Sequence, residues 1–225
     1  MKAKLPPIPW EQVQNKRSTT KKKAGLLIDL RRCVGCHACS VACKTEYQAP
    51  LGQFRMRTRY LQHQEKKTLN FLPMLCMQCT DAPCLKACDS KALVKREDGV
   101  IVVNEQKCSG DKACISACPY GAIYLNPDTQ KAEKCDLCTH RTDLGMEPAC
   151  VNVCPTQAIQ YGDWADDKST MVQTAKKHEL KVMQKSKGTK PQVSYIGLEG
   201  WMEQQAKSVQ LQPGENEMIY EQGKK

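Results

Sequence analysis

The sequence predicts an α+β fold in which short helices and short hairpins are held together largely by groups other than apolar side chains. Cysteine is abundant, with 15 in 225 residues, whereas aromatic residues make up only 5% and Phe occurs twice. The odd number of cysteines argues against a framework made only of disulfides. The charged fraction of 26% is ordinary for a globular protein, so the chain is expected to fold.

The cysteines fall into four closely spaced motifs that account for all of them. The first motif contains Cys33, Cys36, Cys39 and Cys43, the second Cys76, Cys79, Cys84 and Cys88, the third Cys108, Cys114 and Cys118, and the fourth Cys135, Cys138, Cys150 and Cys154. The first has the spacing of bacterial ferredoxins, in which three cysteines bind one iron–sulfur cube and the fourth reaches a different cube. Every motif ends with two cysteines four positions apart. Because zinc needs only cysteine pairs, this recurring end favours iron–sulfur clusters over zinc and over disulfides.

Helices and strands are expected in a regular order around these motifs. A strand is predicted over residues 25–30, before the first motif. The last two cysteines of each motif predict a helical turn, and Pro83 and Pro148 stand just before two of these turns, where helices prefer to start. Two further helices are predicted over residues 169–187 and 198–209.

A short tail recurs after three of the motifs and predicts the remaining strands. The tail reads as a helix end, a turn and a strand, and the strands begin at Leu93, Ile123 and Ile159. Another strand is predicted over residues 100–103. The chain is therefore expected to build hairpins and helical turns around clusters that replace the scarce aromatic core.

Three regions are expected along the chain. Residues 1–23 form a basic N-terminal arm that would not fold alone. Residues 24–165 form the four-cluster domain, interrupted by an insertion over residues 44–72. Residues 166–225 form a C-terminal extension that is expected to bind a partner.

The motifs resemble those of a known family. The resemblance is carried by residues 30–39, 76–84, 117–122, 134–141 and 188–195. On these segments the chain resembles the four-cluster, ferredoxin-like electron-transfer subunits of molybdopterin oxidoreductases, such as dimethyl sulfoxide, polysulfide, tetrathionate and nitrate reductases. The resemblance implies duplicated bacterial-ferredoxin-like subdomains, one made from the first and fourth motifs and the other from the second and third.

The resemblance also implies which cysteines share a cluster. One [4Fe-4S] cluster would use Cys33, Cys36, Cys39 and Cys154. A second would use Cys135, Cys138, Cys150 and Cys43, and a third would use Cys76, Cys79, Cys84 and Cys118. The fourth site would have Cys108, Cys114 and Cys88.

The third motif departs from the family pattern, because Asp111 stands where the pattern has a cysteine. Either three cysteines hold a [3Fe-4S] cluster, or the Asp111 carboxylate binds a fourth iron as a hard oxygen ligand. We favour three [4Fe-4S] clusters and one [3Fe-4S] cluster. The alternative is four [4Fe-4S] clusters with Asp111 as a ligand.

Electron transfer is the leading functional hypothesis, because the sequence contains no catalytic constellation and no phosphate-binding loop. Substrate chemistry is expected on another chain, so it stays open whether this chain counts as an enzyme. The resemblance implies a molybdopterin-containing catalytic subunit as one partner and a membrane quinone or haem subunit, or another redox protein, as the other. A stand-alone polyferredoxin and a zinc-ribbon nucleic-acid-binding protein stay as alternatives.

Charge and hydropathy bear on partners and location. The formal net charge is +10, and four clusters of about −2 each would offset most of it, so nucleic acid is not expected as a partner. No signal peptide and no membrane span are recognisable. The chain is expected in a membrane-associated complex, either on the cytoplasmic face or exported together with a partner.

Overall fold

The computed structural model describes residues 23–63 and 65–208, and of residues 207 and 208 only the backbone. In this part of the chain the fold is α+β, as predicted. The strands are β1 (Ala24–Asp29), β2 (Met56–Gln62), β3 (Leu69–Leu75), β4 (Leu93–Lys95), β5 (Ile101–Val103), β6 (Ile123–Leu125), β7 (Ala132–Lys134), β8 (Ile159–Asp163) and β9 (Val193–Ile196). The helices are α1 (Ala38–Glu46), α2 (Pro83–Lys86), α3 (Ala113–Ala117), α4 (Thr139–Thr142), α5 (Ala149–Asn152), α6 (Thr170–Ala175) and α7 (Gly200–Ser208), with a 3₁₀ turn at Lys185–Lys187.

Strand β1 is the centre of the main sheet, whose order is β8-β1-β9. It runs antiparallel to β8 and parallel to β9. All six residues of β1 are buried, and successive side chains of a strand point to opposite faces. Leu26 and Ile28 join the core that contains the cysteines, while Leu27 packs with Met171 and Val172 of α6.

The three tails that follow the second, third and fourth motifs form strands β4, β6 and β8, which confirms the predicted repeat. β4 pairs with β5, the strand predicted near residues 100–103, and β6 pairs with β7. Both pairs are antiparallel two-stranded sheets. Each of these hairpins follows one cysteine motif and leads into the next.

The insertion over residues 44–72 contains the end of α1 and most of the β2–β3 hairpin. The hairpin buries Met56, Leu61 and Leu72. Its aromatic Phe71 lies against Gly35 of the first motif so closely that a Cβ atom there would be 2.2 Å from the ring. Because Gly35 also has a φ of +66°, this turn of the first motif requires glycine.

The C-terminal region is less helical than predicted. Instead of a helix over residues 169–187, α6 ends at Ala175. A backbone bridge excludes a continuous helix to residue 187, because the amides of Lys181 and Tyr195 each donate to the carbonyl of the other, at 2.9 and 2.7 Å. An extended Lys181 cannot belong to a helix, so this prediction was wrong beyond Ala175. Helix α7 lies within the predicted range of 198–209.

The extension predicted from residue 166 onward contributes β9 to the main sheet and is thus packed onto the cysteine-rich domain. The predicted N-terminal arm, except for Lys23, and the tail over residues 209–225 lie outside the described residues. Their predicted role in partner binding stays a prediction. None of the described helices is both long enough and apolar enough to cross a membrane.

Tyr195 gives a test of how firmly β9 is bound to the domain. Its side chain is fully buried, and its hydroxyl donates to the carbonyl of Pro73 at 2.9 Å. We expect Tyr195→Phe to lower the free energy of unfolding by about 1–3 kcal/mol, because the buried hydrogen bond is lost. Tyr60→Phe is the control, because its side chain is half exposed and water can replace the bond that its hydroxyl donates to the Gly35 carbonyl at 3.1 Å, so a smaller loss of about 0.5 kcal/mol is expected. Equal losses in anaerobic denaturant titrations would contradict this account of β9.

Candidate metal centres

Local backbone geometry carries the cysteines into the interior. α1, α3 and α4 each begin after a residue in the left-handed conformation, namely His37, Lys112 and Cys138. These sharp turns allow a loop cysteine and a helix cysteine to face the same point. All fifteen cysteines lie in the described residues, and none forms a disulfide.

The first thiol group consists of Cys33, Cys36, Cys39 and Cys154. Burial raises the pKa of the Cys33 thiol, and the nearby thiols of Cys39, Cys154 and Cys36 raise it further. Thr58 Oγ1 lies 3.6 Å from Cys39 Sγ. Cys36 is exposed, which makes this the most accessible of the four groups.

The second thiol group consists of Cys43, Cys135, Cys138 and Cys150, and it is deeply buried. Burial raises the pKa of Cys43 to about 12, with a further contribution from Cys138. The pKa of Cys150 lies well above its usual value because of burial first and the thiols of Cys138 and Cys43 next. Four thiols from the first and fourth motifs therefore lie near one another.

The third thiol group consists of Cys76, Cys79, Cys84 and Cys118. All four line one cavity with about 300 Å³ of empty space, part of it open to solvent. Burial raises the pKa of Cys79 to about 11 and that of Cys84 to about 12, and in both cases the Cys76 thiol raises it further. The second and third motifs thus supply the four thiols around this cavity.

The fourth thiol group consists of Cys88, Cys108 and Cys114, which line a cavity of about 280 Å³ together with Asp111. Burial raises the pKa of Cys114 to about 11, and the Cys88 and Cys108 thiols raise it further. The Asp111 side chain is exposed and already accepts two hydrogen bonds, from Ser109 Oγ at 2.8 Å and from the Ala113 amide at 2.9 Å. Its carboxylate therefore stabilises the loop at the rim of this cavity.

The repeated tail has a direct role at the thiols. In each repeat the alanine four residues after the last cysteine donates its backbone N–H to that cysteine's sulfur. The distance from the Ala158 amide to Cys154 Sγ is 3.3 Å, and Ala92 and Ala122 make the equivalent bonds to Cys88 and Cys118. Amide hydrogen bonds to sulfur favour the thiolate and tune the potential of a bound cluster.

The residues present fit iron–sulfur clusters. Buried thiols with raised pKa values stay protonated and form only weak hydrogen bonds with one another. Each becomes a stable thiolate once it binds a metal and releases its proton. Among the described residues, no group of three or more His, Cys, Asp or Glu is arranged to hold a single metal ion. An iron–sulfur cluster needs thiols that lie further apart than the ligands of a single metal ion, because each thiolate binds a different iron. The four thiol groups offer donors of the type that iron–sulfur clusters use.

A polar network surrounds the second thiol group. Arg55 comes from the insertion, and its side chain is 11% exposed; it contacts Glu133 at 3.1 Å and Asp136 at 3.9 Å and stacks on the Tyr47 ring at 3.8 Å. Tyr47 donates its hydroxyl to Asp136, which in turn accepts the Cys138 amide at 3.0 Å. The insertion thus supports the fourth motif, and Arg55 is not free for a polyanionic partner.

Two close approaches connect the thiol groups. Cys39 of the first group raises the pKa of Cys43 and Cys150 in the second, after burial and nearer thiols. Likewise Cys76 of the third group contributes to the raised pKa of Cys135, which burial dominates. Cys84 and Cys88 are joined by the turn of α2, so neighbouring groups share short chain segments.

Sequence reasoning missed two residues of this region. Gln78, between two cysteines of the second motif, is fully buried, and its amide donates to the carbonyl of Cys135 at 2.8 Å. Tyr47 contacts the fourth motif from the insertion. Neither has a sequence signal, because their partners lie 57 and 89 residues away.

Comparison with known proteins agrees with this geometry. Residues 67–164 match the model of the 4Fe-4S dicluster domain, which defines the class of protein. The chain is 40% identical over 185 residues to a subunit of tetrathionate reductase from Salmonella typhimurium, covering 80% of this chain and 74% of that protein. It is 38% identical over 181 residues to a component of polysulfide reductase from Wolinella succinogenes, covering 78% and 94%.

A third relative comes from another reductase. The arsenate respiratory reductase iron–sulfur subunit of Shewanella is 32% identical over 225 residues, covering 77% of this chain and 96% of that protein. The chain belongs to the family of iron–sulfur electron-transfer subunits of such reductase complexes, as its motifs predict.

Arg55 gives a test of the network around the second thiol group. We expect Arg55→Met to lower the free energy of unfolding by about 3 kcal/mol, because Glu133 and Asp136 lose their cation in a largely buried site. The measurement is an anaerobic denaturant titration with iron content followed in parallel. Lys176→Met is the matched control, since its ion pair with Asp167 is exposed and contributes about 0–1 kcal/mol. A similar small loss in both variants would show that the network does not depend on Arg55.

Proposed function

We propose that this chain passes single electrons through four iron–sulfur clusters, between a molybdopterin-containing catalytic subunit and a membrane quinone or haem subunit or another redox partner. When bound, such clusters accept and release one electron at a time. The observation that carries the proposal is the separation of fifteen free thiols into four groups, with thiols of neighbouring groups close enough to raise one another's pKa values where the first group meets the second and the second meets the third. A row of close centres is what electron relay requires.

Each thiol group is proposed to hold one cluster. The first, second and third thiol groups each supply four thiolates for a [4Fe-4S] cluster, and the fourth supplies three. Support comes from the cavities lined by the third and fourth groups and from the mutual effects of the thiols on their pKa values. The same pairing of motifs supports duplicated ferredoxin-like subdomains.

The fourth thiol group is proposed to hold a [3Fe-4S] cluster. The Asp111 carboxylate accepts hydrogen bonds from Ser109 and Ala113 in the described structure, so it has a role in the loop that does not need iron. The alternative, a [4Fe-4S] cluster with Asp111 as the fourth ligand, is favoured by the position of Asp111 on the cavity wall.

The surface around the first thiol group is proposed as a place where electrons enter or leave. Val34 is 56% exposed, Val41 is 62% exposed and Tyr60 is 52% exposed, and the Cys36 thiol beside them is exposed as well. Solvent-exposed apolar side chains are common at docking surfaces.

The complex is proposed to be membrane-associated, with the partner providing the attachment.

Relay through the chain can be tested in the complex purified anaerobically. We expect about 15 irons and a similar amount of sulfide per chain, together with reduction of this subunit by the substrate of the catalytic subunit. Cys79→Ala should stop electron flow to the second partner, while the catalytic subunit keeps its activity with an artificial donor or acceptor. Ser116→Ala, at an exposed position of α3, should change nothing. A colourless protein that contains stoichiometric zinc would overturn the proposal.

The cluster type of the fourth thiol group can be tested by EPR. We expect the oxidised protein to show the spin-half signal of a [3Fe-4S] cluster, and Asp111→Cys to abolish it by supplying a fourth thiolate. Asp111→Ala should keep the signal, as should Asp128→Ala in an exposed turn. If the native protein lacks the signal and Asp111→Ala gains it, the carboxylate is an iron ligand and the alternative is correct.

A further inference from the structure

Lys134 is a buried cation at the last position of β7, directly before Cys135. It is 2% exposed. Its ammonium group donates to the carbonyl of Ile101 in β5 and to the carbonyl of Cys135, the latter at 3.0 Å. A lysine in such a place loses its hydration, which is costly unless a negative charge lies nearby.

No carboxylate within the described residues forms an ion pair with Lys134. Its neighbour Glu133 is engaged elsewhere, with Arg55, Tyr124 and Asn126. Successive side chains of a strand point to opposite faces, so Glu133 is directed away from Lys134. Two carbonyl oxygens alone do not neutralise a buried ammonium group.

The third thiol group would supply such a negative charge once its thiols bind metal. Ile101, whose carbonyl accepts the Lys134 ammonium, lines the cavity formed by that group. Lys134 also lowers the pKa values of Cys84 and Cys118, although burial dominates both and raises them. The ammonium group therefore lies beside the third thiol group.

Gln78 and Lys134 together join the two halves of the cysteine-rich domain. The Gln78 side chain donates to the Cys135 carbonyl and accepts the Ile101 amide, both at 2.8 Å, and Lys134 bonds to the carbonyls of the same two residues. This junction lies where the third thiol group approaches the second, since the Cys76 thiol contributes to the raised pKa of Cys135, which burial dominates. It is the place where an electron would cross between halves.

The charges on the two sides of the junction are opposite. The second thiol group has the Asp136 carboxylate beside it, which raises the pKa values of Cys43, Cys135 and Cys138 in addition to the larger effect of burial, while Arg55 lowers that of Cys43. Because Glu133 and Asp136 share the single cation Arg55, this network keeps a net negative charge. The third thiol group has Lys134. A nearby cation stabilises the more negative, reduced state of a cluster, and a nearby anion opposes it.

We propose that Lys134 is the counter-charge of the cluster at the third thiol group and makes that cluster the better electron acceptor of the two that meet at the Gln78–Lys134 junction. The inference rests on the proposed electron relay. In such a crossing one electron would pass between the centres at the second and third thiol groups, and no bond would form or break. Lys134 is a positioning residue that acts through its charge.

The test compares Lys134→Gln, which removes the charge but keeps a donor, with Lys134→Arg, which keeps the charge. Redox titrations of the purified complex are followed by EPR, and the signal of the third thiol group is assigned by its loss in Cys79→Ala. We expect Lys134→Gln to lower the reduction potential of the centre at the third thiol group by at least about 59 mV. For one electron this is a tenfold shift of the electron-transfer equilibrium toward the centre at the second thiol group. Lys134→Arg should stay close to the native protein. Lys86→Gln, at an exposed position of α2, removes an equal charge near the same group and should have little effect.

Each outcome decides the proposal. A lowered potential in Lys134→Gln alone, or loss of only this cluster in Lys134→Gln but not in Lys134→Arg, supports it. Equal potentials in Lys134→Gln and Lys86→Gln overturn it, as does loss of the cluster in both Lys134 variants, because the side chain then matters for packing. The electron-relay proposal fails separately, if the native complex contains no iron and no sulfide.

Discussion

The structure depends on one constraint, which is that eleven of the fifteen cysteines are buried close to one another without forming disulfides. Burial raises the pKa values of many of them, to about 11 or 12 at four positions, so the metal-free core is a set of protonated donors without acceptors of comparable strength. Metal binding converts these donors into bound thiolates and contributes directly to folding free energy. The short helices and two-stranded sheets are adequate only because they surround such centres.

Buried charge around these centres is compensated in two different ways. Arg55 is neutralised by Glu133 and Asp136 within the protein, whereas Lys134 has only carbonyl partners among the described residues. The charge of Arg55 is therefore compensated whether or not metal is bound. The charge of Lys134 is compensated only when the adjacent thiols carry negative charge, so the stability of the Gln78–Lys134 junction depends on whether the metal site is filled. The basic excess of the composition therefore serves both packing and the metal centres.

Much of the fold could be predicted from spacing, because cysteine motifs and turn residues act locally. The strands after Cys88, Cys118 and Cys154 followed from a repeated tail whose alanine amide bonds to the preceding sulfur. The helix predicted over residues 169–187 could not continue to residue 187, because Tyr195 binds Lys181 in a bridge that local helix propensity does not reveal. The roles of Gln78 and Tyr47 could not be predicted either, since both depend on partners brought close only by the complete fold.

The position of β1 affects how the chain matures. β1 lies near residue 24, yet its partners β8 and β9 end at residues 163 and 196, whereas β4–β5 and β6–β7 pair within a few residues of sequence. Because local pairings form before distant ones, the middle of the chain can fold while the rest is still being synthesised. The first strand must then wait until residues 159–196 have left the ribosome, and the thiols of the first motif stay open to iron delivery, or to oxidation, for longer than those of the second.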